Sequence, residues 1–478
     1  MKFKDLEGRS LIVVGLGVEG SSTYRFLRGL YPTKVLGLAD LATLDRLDAE
    51  TRKSIEQDPN VRLHLGAGYL SDLGSYEIII KTPGISELDH AELQQAIESG
   101  KIIQSHTALF FANCPGRIIG VTGTKGKGTT SKLIHSILKA AGFDAHLVGN
   151  IGTPPLPLLD KASDETIFIF EMSAQQLESM TESPQIAVLL NVVPDHLDHF
   201  KTFENYVRAK EQIAAHQTER DYLIYNAAYE VPRLVASRSK ARLVPYSVRD
   251  RLERGCFIKE NRIACNLDGR GPEPVIAIEE VAETLPEPFN LNNVLPAVAV
   301  ARLLGVEPAR IGEGVKQFKP LEHRFERVGA FREITFYNAS IATVPEVTIE
   351  HLNALGDRVQ TVLLGGHDRQ IDFSELGERI VRSEIKTAIL FPETGTRIWQ
   401  AIRDSAAQAG KEPPESFSIE RGTAAEEAMR RAVEIAYRKT EPGRVCLHSP
   451  ASPSFGIFKN FKERGELFKR FVKQLGQE

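Results

Sequence analysis

A chain of 478 residues, 42% of them hydrophobic, can bury sizeable cores and by length should hold about three domains. A net charge of −4 and a pI near 6.4 give no electrostatic reason to expect a nucleic-acid partner. No apolar run approaches the ~20 residues that span a bilayer, and Met1-Lys2-Phe3-Lys4-Asp5 lacks the apolar core of a secretory signal. The four cysteines (Cys114, Cys256, Cys265, Cys446) are scattered, with no pair at metal-ligand spacing and no disulfide framework. The expectation is a cytoplasmic enzyme that binds no nucleic acid and does not insert into membranes.

The first segment opens on Ser10-Leu11-Ile12-Val13-Val14, a run with the character of a buried strand. It continues into Gly15-Leu16-Gly17-Val18-Glu19-Gly20 and a helical stretch from Ser21 to Leu30. A glycine turn between strand and helix lets phosphates approach backbone N–H groups at a helix N-terminus. A second strand, Val35 to Ala39, ends at Asp40, close to where an acid follows the dinucleotide fingerprint. Alone this pattern reads as NAD, but the glycines carry no information about the attached base and admit other diphosphates. Ile78-Ile79-Ile80 then runs into Thr82-Pro83-Gly84-Ile85, a turn at a strand's carboxyl end, where ligands sit in open parallel sheets.

The second segment begins near Pro115. Ile118-Ile119 leads into Gly120-Val121-Thr122-Gly123-Thr124-Lys125-Gly126-Lys127-Gly128-Thr129-Thr130, followed by a helical run. Several backbone N–H groups, the helix N-terminus and Lys127 converge there as a cradle for a nucleoside triphosphate. The general phosphate-loop pattern is met incompletely: its first glycine falls on Val121 and its Ser/Thr on Gly128. The hydroxyl for magnesium must then come from Thr129 or Thr130. Ile167 to Phe170 ends at Glu171, where a carboxylate can hold magnesium against the phosphates or can simply be a solvated strand-end acid. Ile186 to Leu190 ends at Asn191 and is followed by Pro194-Asp195-His196-Leu197-Asp198-His199, which reads equally as a metal cluster or a polar loop. Fourteen residues beyond His196, in the helical run Phe203 to Ala215, stands Lys210.

The third segment, from about Pro320, alternates again: Thr361-Val362-Leu363-Leu364 before Gly365-Gly366, Thr387 to Phe391, and Arg444 to Leu447 before His448-Ser449-Pro450. Strands alternating with helices predict an α/β chain with parallel sheets. Three domains in series are expected at 1–114, 115–319 and 320–478: a Rossmann-like domain, a phosphate-loop ATPase-like domain and a second Rossmann-like domain.

A set of motifs taken together resembles the Mur ligases, ATP-dependent enzymes that build the peptide stem of peptidoglycan. They are Gly123-Thr124-Lys125-Gly126-Lys127, Gly149-Asn150-Ile151-Gly152, Glu171-Met172-Ser173-Ala174-Gln175-Gln176, Asn191 to Asp198, and Tyr206-Val207-Arg208-Ala209-Lys210. Downstream, Phe289-Asn290-Leu291-Asn292-Asn293, Glu322-His323-Arg324, Leu363 to Gly366, and Ser449 to Gly465 resemble most closely the glutamate-adding branch. The resemblance implies amide ligation of glutamate, D-glutamate above all, to UDP-MurNAc-L-alanine through an acyl phosphate, by a monomer. The same ligation with L-glutamate, a folylpolyglutamate synthase-like ligase and a catalytically inactive relative are the alternatives.

Carried over residue by residue, the resemblance assigns Gly15, Gly17, Val18, Glu19, Asp40, Thr82, Asn150, Ser173 and Gln176 to the UDP substrate, which displaces the NAD reading. It assigns Gly123, Thr124, Lys125, Gly126, Lys127, Gly128, Thr129, Thr130, Asn290, Asn293 and Arg324 to ATP, and Thr343, Arg369, Ser454, Phe455 and Phe461 to glutamate. Two magnesium ions would be held by Thr129, Glu171, His196 and Lys210, the lysine as a CO₂-derived carbamate. Lys127, Glu171, His196 and Lys210 carry the catalysis. Three features depart from the family pattern. Ala339 and Ile341 replace an acid and a lysine, Arg369 replaces a lysine that meets the amino acid's α-carboxylate, and Gly128 after Lys127 is the folylpolyglutamate synthase form.

Overall fold

The computed structural model describes residues 1–285, 288–320 and 322–477, and the side chains of Leu197, Asp198 and Phe289 lie outside the description. One of these three, Asp198, is the second acid of the His196 run.

Three sheets succeed one another. The first comprises β1 (Leu11–Val14), β2 (Leu36–Asp40), β3 (Val61–Leu65), β4 (Ile78–Lys81) and β5 (Ile102–Gln104), all parallel, in the order β3-β2-β1-β4-β5. Strands covered on both faces need continuous apolar runs. β1 and β4 satisfy this, being buried along their whole length. The strand order reverses between β1 and β4, so the Gly15–Gly20 turn and the Thr82–Ile85 turn leave side by side at the carboxyl edge, where such sheets open a crevice.

The second sheet has nine strands: β6 (Arg117–Thr122), β7 (Ala145–Gly149), β8 (Ile167–Glu171), β9 (Ile186–Leu189), β10 (Tyr222–Asn226), β11 (Arg242–Ser247), β12 (Gly255–Lys259), β13 (Arg262–Asn266) and β14 (Glu273–Ala277). Its order is β14-β13-β12-β11-β10-β9-β6-β8-β7. The strands from β12 through β11 and on to β7 pair in parallel, and β13 and β14 add an antiparallel extension. β6 lies between β8 and β9, which sets the phosphate loop between the ends of two strands that terminate in Glu171 and near Asn191.

The antiparallel extension corrects the cysteine expectation. Cys256 on β12 and Cys265 on β13 are direct register partners with Cα atoms 4.3 Å apart, and they form a disulfide. Their spacing in sequence hid a hairpin that puts them opposite one another. Cys114 and Cys446 are free thiols.

The third sheet, β15 (Glu326–Phe331), β16 (Ile334–Asn338), β17 (Val359–Gly365), β18 (Thr387–Phe391), β19 (Glu415–Ser418) and β20 (Val445–His448), has the order β15-β16-β20-β17-β18-β19. It is parallel except where β15 pairs with β16. The chain forms two compact units, Met1–Phe318 and Lys319–Glu478. The first carries two sheets on a shared core. Phe110, on the helix His106–Asn113, packs edge-on against Phe168 of β8 with ring centroids 4.9 Å apart. Its truncation to alanine would cost about 3–5 kcal/mol. Among the described residues no helix is long and apolar enough to cross a membrane.

Candidate active site

The phosphate loop joins β6 to the helix Lys127–Ala140. Gly126 caps that helix at φ +87°, and a Cβ there would lie 2.2 Å from Asn293 Oδ1, so only glycine fits. Asn191, at the end of β9, fixes the loop from the side. Its carbonyl accepts from Thr124 N at 2.6 Å, its Oδ1 accepts from Lys125 N, and its Nδ2 donates to the Lys125 carbonyl, both at 3.0 Å. The Lys127 ammonium folds back and donates to the carbonyls of Gly123 and Thr124 at 2.9 Å each. Thr130 Oγ1 donates to Asn293 Oδ1 at 3.4 Å, and Asn293 Nδ2 to Asn290 Oδ1 at 3.4 Å. Both asparagines assigned to ATP thus stand at the loop.

Lys210, on the helix Phe203–Ala215, is 2% exposed and donates to the same Gly123 carbonyl at 2.9 Å. Burial, reinforced by the Lys127 charge, holds its ammonium well below the usual lysine range, against the opposing pull of Asp195 and Glu171. Its Nζ lies 4.8 Å over the Tyr206 ring, whose hydroxyl is 3.1 Å from Thr124 Oγ1. His196 adopts φ +53°, has a half-exposed ring centred 6.3 Å from that of Tyr206, and places Nε2 3.8 Å from Asp195 Oδ2. His199 turns away to Glu178 at 3.4 Å. The described part of the His196 run therefore leads from a bend into the short helix Leu197–Phe200 and keeps one histidine near the phosphate cradle, with the other turned away from it.

Glu171 ends β8 fully buried. Asn150 Nδ2 donates to its Oε1 at 3.1 Å, while its Oε2 has no hydrogen-bond partner and no access to water. A buried carboxylate oxygen left bare beside a phosphate cradle fits a hard divalent cation. Thr129, half-buried on the first helical turn, supplies a hydroxyl suited to the same ion. Among the described residues the one trio of acid and histidine ligand atoms that converges is Glu322, His323 and Glu466 in the second unit. The Lys469 ammonium already sits against Glu322 and Glu466 at 3.0 and 2.9 Å there, which fills the cation's place.

In the first turn the glycines divide the work. A Cβ on Gly20 would meet the Gly15 carbonyl, and one on Gly15 would meet Thr82 Oγ1 at 2.1 Å, so both serve the fold. A Cβ on Gly17 would meet nothing within 4 Å, so that glycine leaves room for a ligand. Gly17 and Val18 wall two cavities. One of about 690 Å³ is lined also by Arg25, Asp40, Arg46 and Thr153. The other, about 260 Å³, is lined also by Glu19, Thr82, Asn150, Ser173 and Gln176. The Asp40 carboxylate receives the backbone N–H groups of Leu16 and Ala42 and so braces the turn itself. Arg25, Arg46 and Thr153 were not foreseen from the sequence. Arg25 had a signal, since Val18, Ser21, Ser22 and Arg25 recur at helical spacing on one face.

Of the residues assigned to glutamate, Arg369 and Phe455 are exposed, Thr343 and Phe461 half-buried, and Ser454 buried. Arg464 binds their loops together. Fully buried, it donates to the carbonyls of Ser340 and Ser452 at 2.7 and 3.0 Å and to Ser340 Oγ at 3.1 Å. Ser340 Oγ in turn donates to the Phe461 carbonyl at 2.8 Å. With no carboxylate among these partners, burial lowers the guanidinium's pKa to about 9.

Glycine turns leave parallel strands of two successive sheets, the second turn bearing Lys127, and the chain belongs to the Mur ligase family of ATP-dependent ligases. Residues 121–301 match the Mur ligase middle domain. The UDP-N-acetylmuramoylalanine–D-glutamate ligase of Acetivibrio thermocellus is 34% identical over 99% of this chain and 98% of its own length. That of Symbiobacterium thermophilum is 34% identical over 97% of each. Among solved structures, a MurF from Acinetobacter baumannii superposes with a TM-score of 0.57 at 15% identity, covering 97% of this chain and 93% of that one. The UDP-N-acetylmuramate–alanine ligase of Thermotoga maritima gives 0.55 at 15% identity, covering 98% and 99%. At these identities the superpositions speak for the fold.

Proposed function

We propose that this protein is an ATP-dependent ligase that joins D-glutamate to UDP-MurNAc-L-alanine, in the cytoplasm and as a monomer. The reading gives 1–114 to the UDP substrate, 115–319 to ATP and 320–478 to glutamate. End-to-end similarity to two D-glutamate ligases supports it. The observation that carries it is the meeting of Lys127 and Lys210 on the Gly123 carbonyl, in a loop flanked by a carboxylate with one bare oxygen.

In this reading the substrate carboxylate attacks the γ-phosphate in line and ADP leaves, giving the acyl phosphate; the two reacting anions repel one another until positive charge is set between them. Lys127 leaves its loop carbonyls and follows the phosphate, with the loop N–H groups oriented by Asn191. Thr129 and Glu171 would hold a magnesium ion, which would supply further neutralisation of the phosphate charge. The glutamate amine then attacks the acyl phosphate, His196 stabilises the negative charge that develops on the carbonyl oxygen, and the C–O bond to phosphate breaks, releasing inorganic phosphate and the amine proton and leaving the amide.

Lys210 takes part as a carbamate. Its burial favours the neutral amine, the form that adds to CO₂, and the product exchanges a cation for two oxygen donors. Arg369, Thr343, Ser454, Phe455 and Phe461 receive the amino acid, and Asn290 and Asn293 the nucleotide. The test is phosphate release from ATP with UDP-MurNAc-L-alanine and D-glutamate, L-glutamate or other amino acids in parallel. Release that requires D-glutamate supports the reading. Release with L-glutamate alone moves the specificity, and release with none removes the ligase.

A further inference from the structure

Glu19 is an acid placed where a diphosphate is to bind, and its surroundings are unusual for a carboxylate. It stands in the first turn of the helix Val18–Leu30 and lines the 260 Å³ cavity. Gln176 Nε2 donates to its Oε1 at 2.6 Å. The orientation of that amide is settled by its other end, since Gln176 Oε1 accepts from Ser173 N at 3.0 Å. The second carboxyl oxygen, Oε2, is buried and has no hydrogen-bond partner. Thr82, Pro83, Asn150, Ser173 and Gln176 face it from the other elements, and no charged side chain stands among these lining residues.

An ionised Glu19 would place a negative charge beside the diphosphate. In a site of low effective dielectric constant two such like charges repel strongly. A protonated Glu19 has no such repulsion, and its only oxygen free to carry the proton is Oε2. We propose that Glu19 is a positioning and specificity residue that binds the UDP substrate in its protonated form, Oε2–H donating to a substrate oxygen, so that substrate binding takes up a proton. The inference rests on the UDP-substrate reading of the first turn. Burial acts in its favour, raising the carboxyl's pKa, with the Gln176 hydrogen bond opposing. The diphosphate of a UDP-sugar is doubly esterified and has no proton to exchange near neutrality, so an uptake reports on the protein.

The test is calorimetry of UDP-MurNAc-L-alanine binding to the full chain at pH 7, in buffers of different ionisation enthalpy, and of affinity from pH 6 to 8. The wild type should take up a fraction of a proton, and its affinity should fall with rising pH by up to about tenfold per unit. Glu19→Gln, which keeps a hydrogen-bond donor without a charge, should bind as well as the wild type does at pH 6, with no uptake and a flat pH profile. Wild-type binding without proton uptake, or a Glu19→Gln variant that binds more weakly at every pH, overturns the proposal and makes Glu19 an ionised acceptor. Failure of the wild type to bind UDP-MurNAc-L-alanine at all removes the UDP reading instead. The wild-type measurement needs no variant, so a misfolded Glu19→Gln would leave the decision to it.

Discussion

Two glycine turns in the first unit are built alike and equipped differently. Each leaves a buried parallel strand, β1 or β6, and each caps a helix of similar length, Val18–Leu30 or Lys127–Ala140. The first is flanked by acids: Asp40 braces its backbone, Glu19 reaches Gln176, and its cations Arg25 and Arg46 lie out in the larger cavity. The second draws two lysines onto one carbonyl and has a buried carboxylate nearby. Glycine spacing sets how closely a phosphate approaches the backbone, and the flanking charges set what happens to it. Backbone N–H groups alone can hold a diphosphate that is not to react. A phosphate that is to be transferred needs mobile positive charge where negative charge develops.

The largest test of that contrast is Lys127→Ala. Ligation should fall by ~10³-fold or more in a phosphate-release assay, while UDP-substrate binding by calorimetry stays as in the wild type. Full turnover would mean that the second turn is not where transfer occurs. Lys210→Ala should lose ~10²-fold or more, with partial recovery on adding acetate or another carboxylate that returns oxygen donors. Recovery with amines and not carboxylates would mean that the lysine acts as a cation, and the carbamate would be discarded.

Gly17→Asp examines the first turn. Nothing in the protein occupies the space a Cβ would fill, and aspartate is a better helix N-cap than glycine, so folding should be unharmed. UDP-substrate affinity should drop by ~10²-fold or more through repulsion of the diphosphate, with ATP affinity retained. Equal loss of both ligands would dissolve the distinction between the turns.

A smaller effect concerns the support of the first turn's helix. Thr23 Oγ1 donates to the Glu19 carbonyl and lies 2.8 Å from His106 Nδ1, and His106 Nε2 accepts from Leu156 N at 3.4 Å. The neutral ring is thus a donor at Nδ1 and an acceptor at Nε2. Burial lowers its pKa to about 3, against 6.5 for a free histidine. Between those values the unfolded chain binds the proton and the folded one does not, so stability is full above pH 6.5 and is lost as pH falls toward 3. Urea midpoints at pH 7 and pH 5 should therefore differ more for the wild type than for His106→Gln. The smallest effect belongs to Lys201→Ala. Its exposed pairing with Asp89 at 2.8 Å is worth less than ~1 kcal/mol, and phosphate release should be unchanged.

The local devices were legible along the chain. β1, β4, β6 and β8 could be read because strands buried on both faces need unbroken apolar runs, and the two turns because only glycine permits their close approaches and a positive φ at Gly126. Lys127 was legible through its fixed spacing from those glycines. The order of the motifs identified the family before any distance was known. Whatever depends on contact between remote segments was settled by packing. It put Cys256 opposite Cys265 through a hairpin, and it exposed Arg25 and Arg46 to a cavity that Thr153 also lines. It also buried Lys210 under the loop of Lys127, 83 residues earlier in the chain, and left single oxygens of Glu19 and Glu171 without partners. Burial and hydrogen-bond satisfaction are properties of the whole packed surface around an atom, and the spacing of residues along a chain does not carry them.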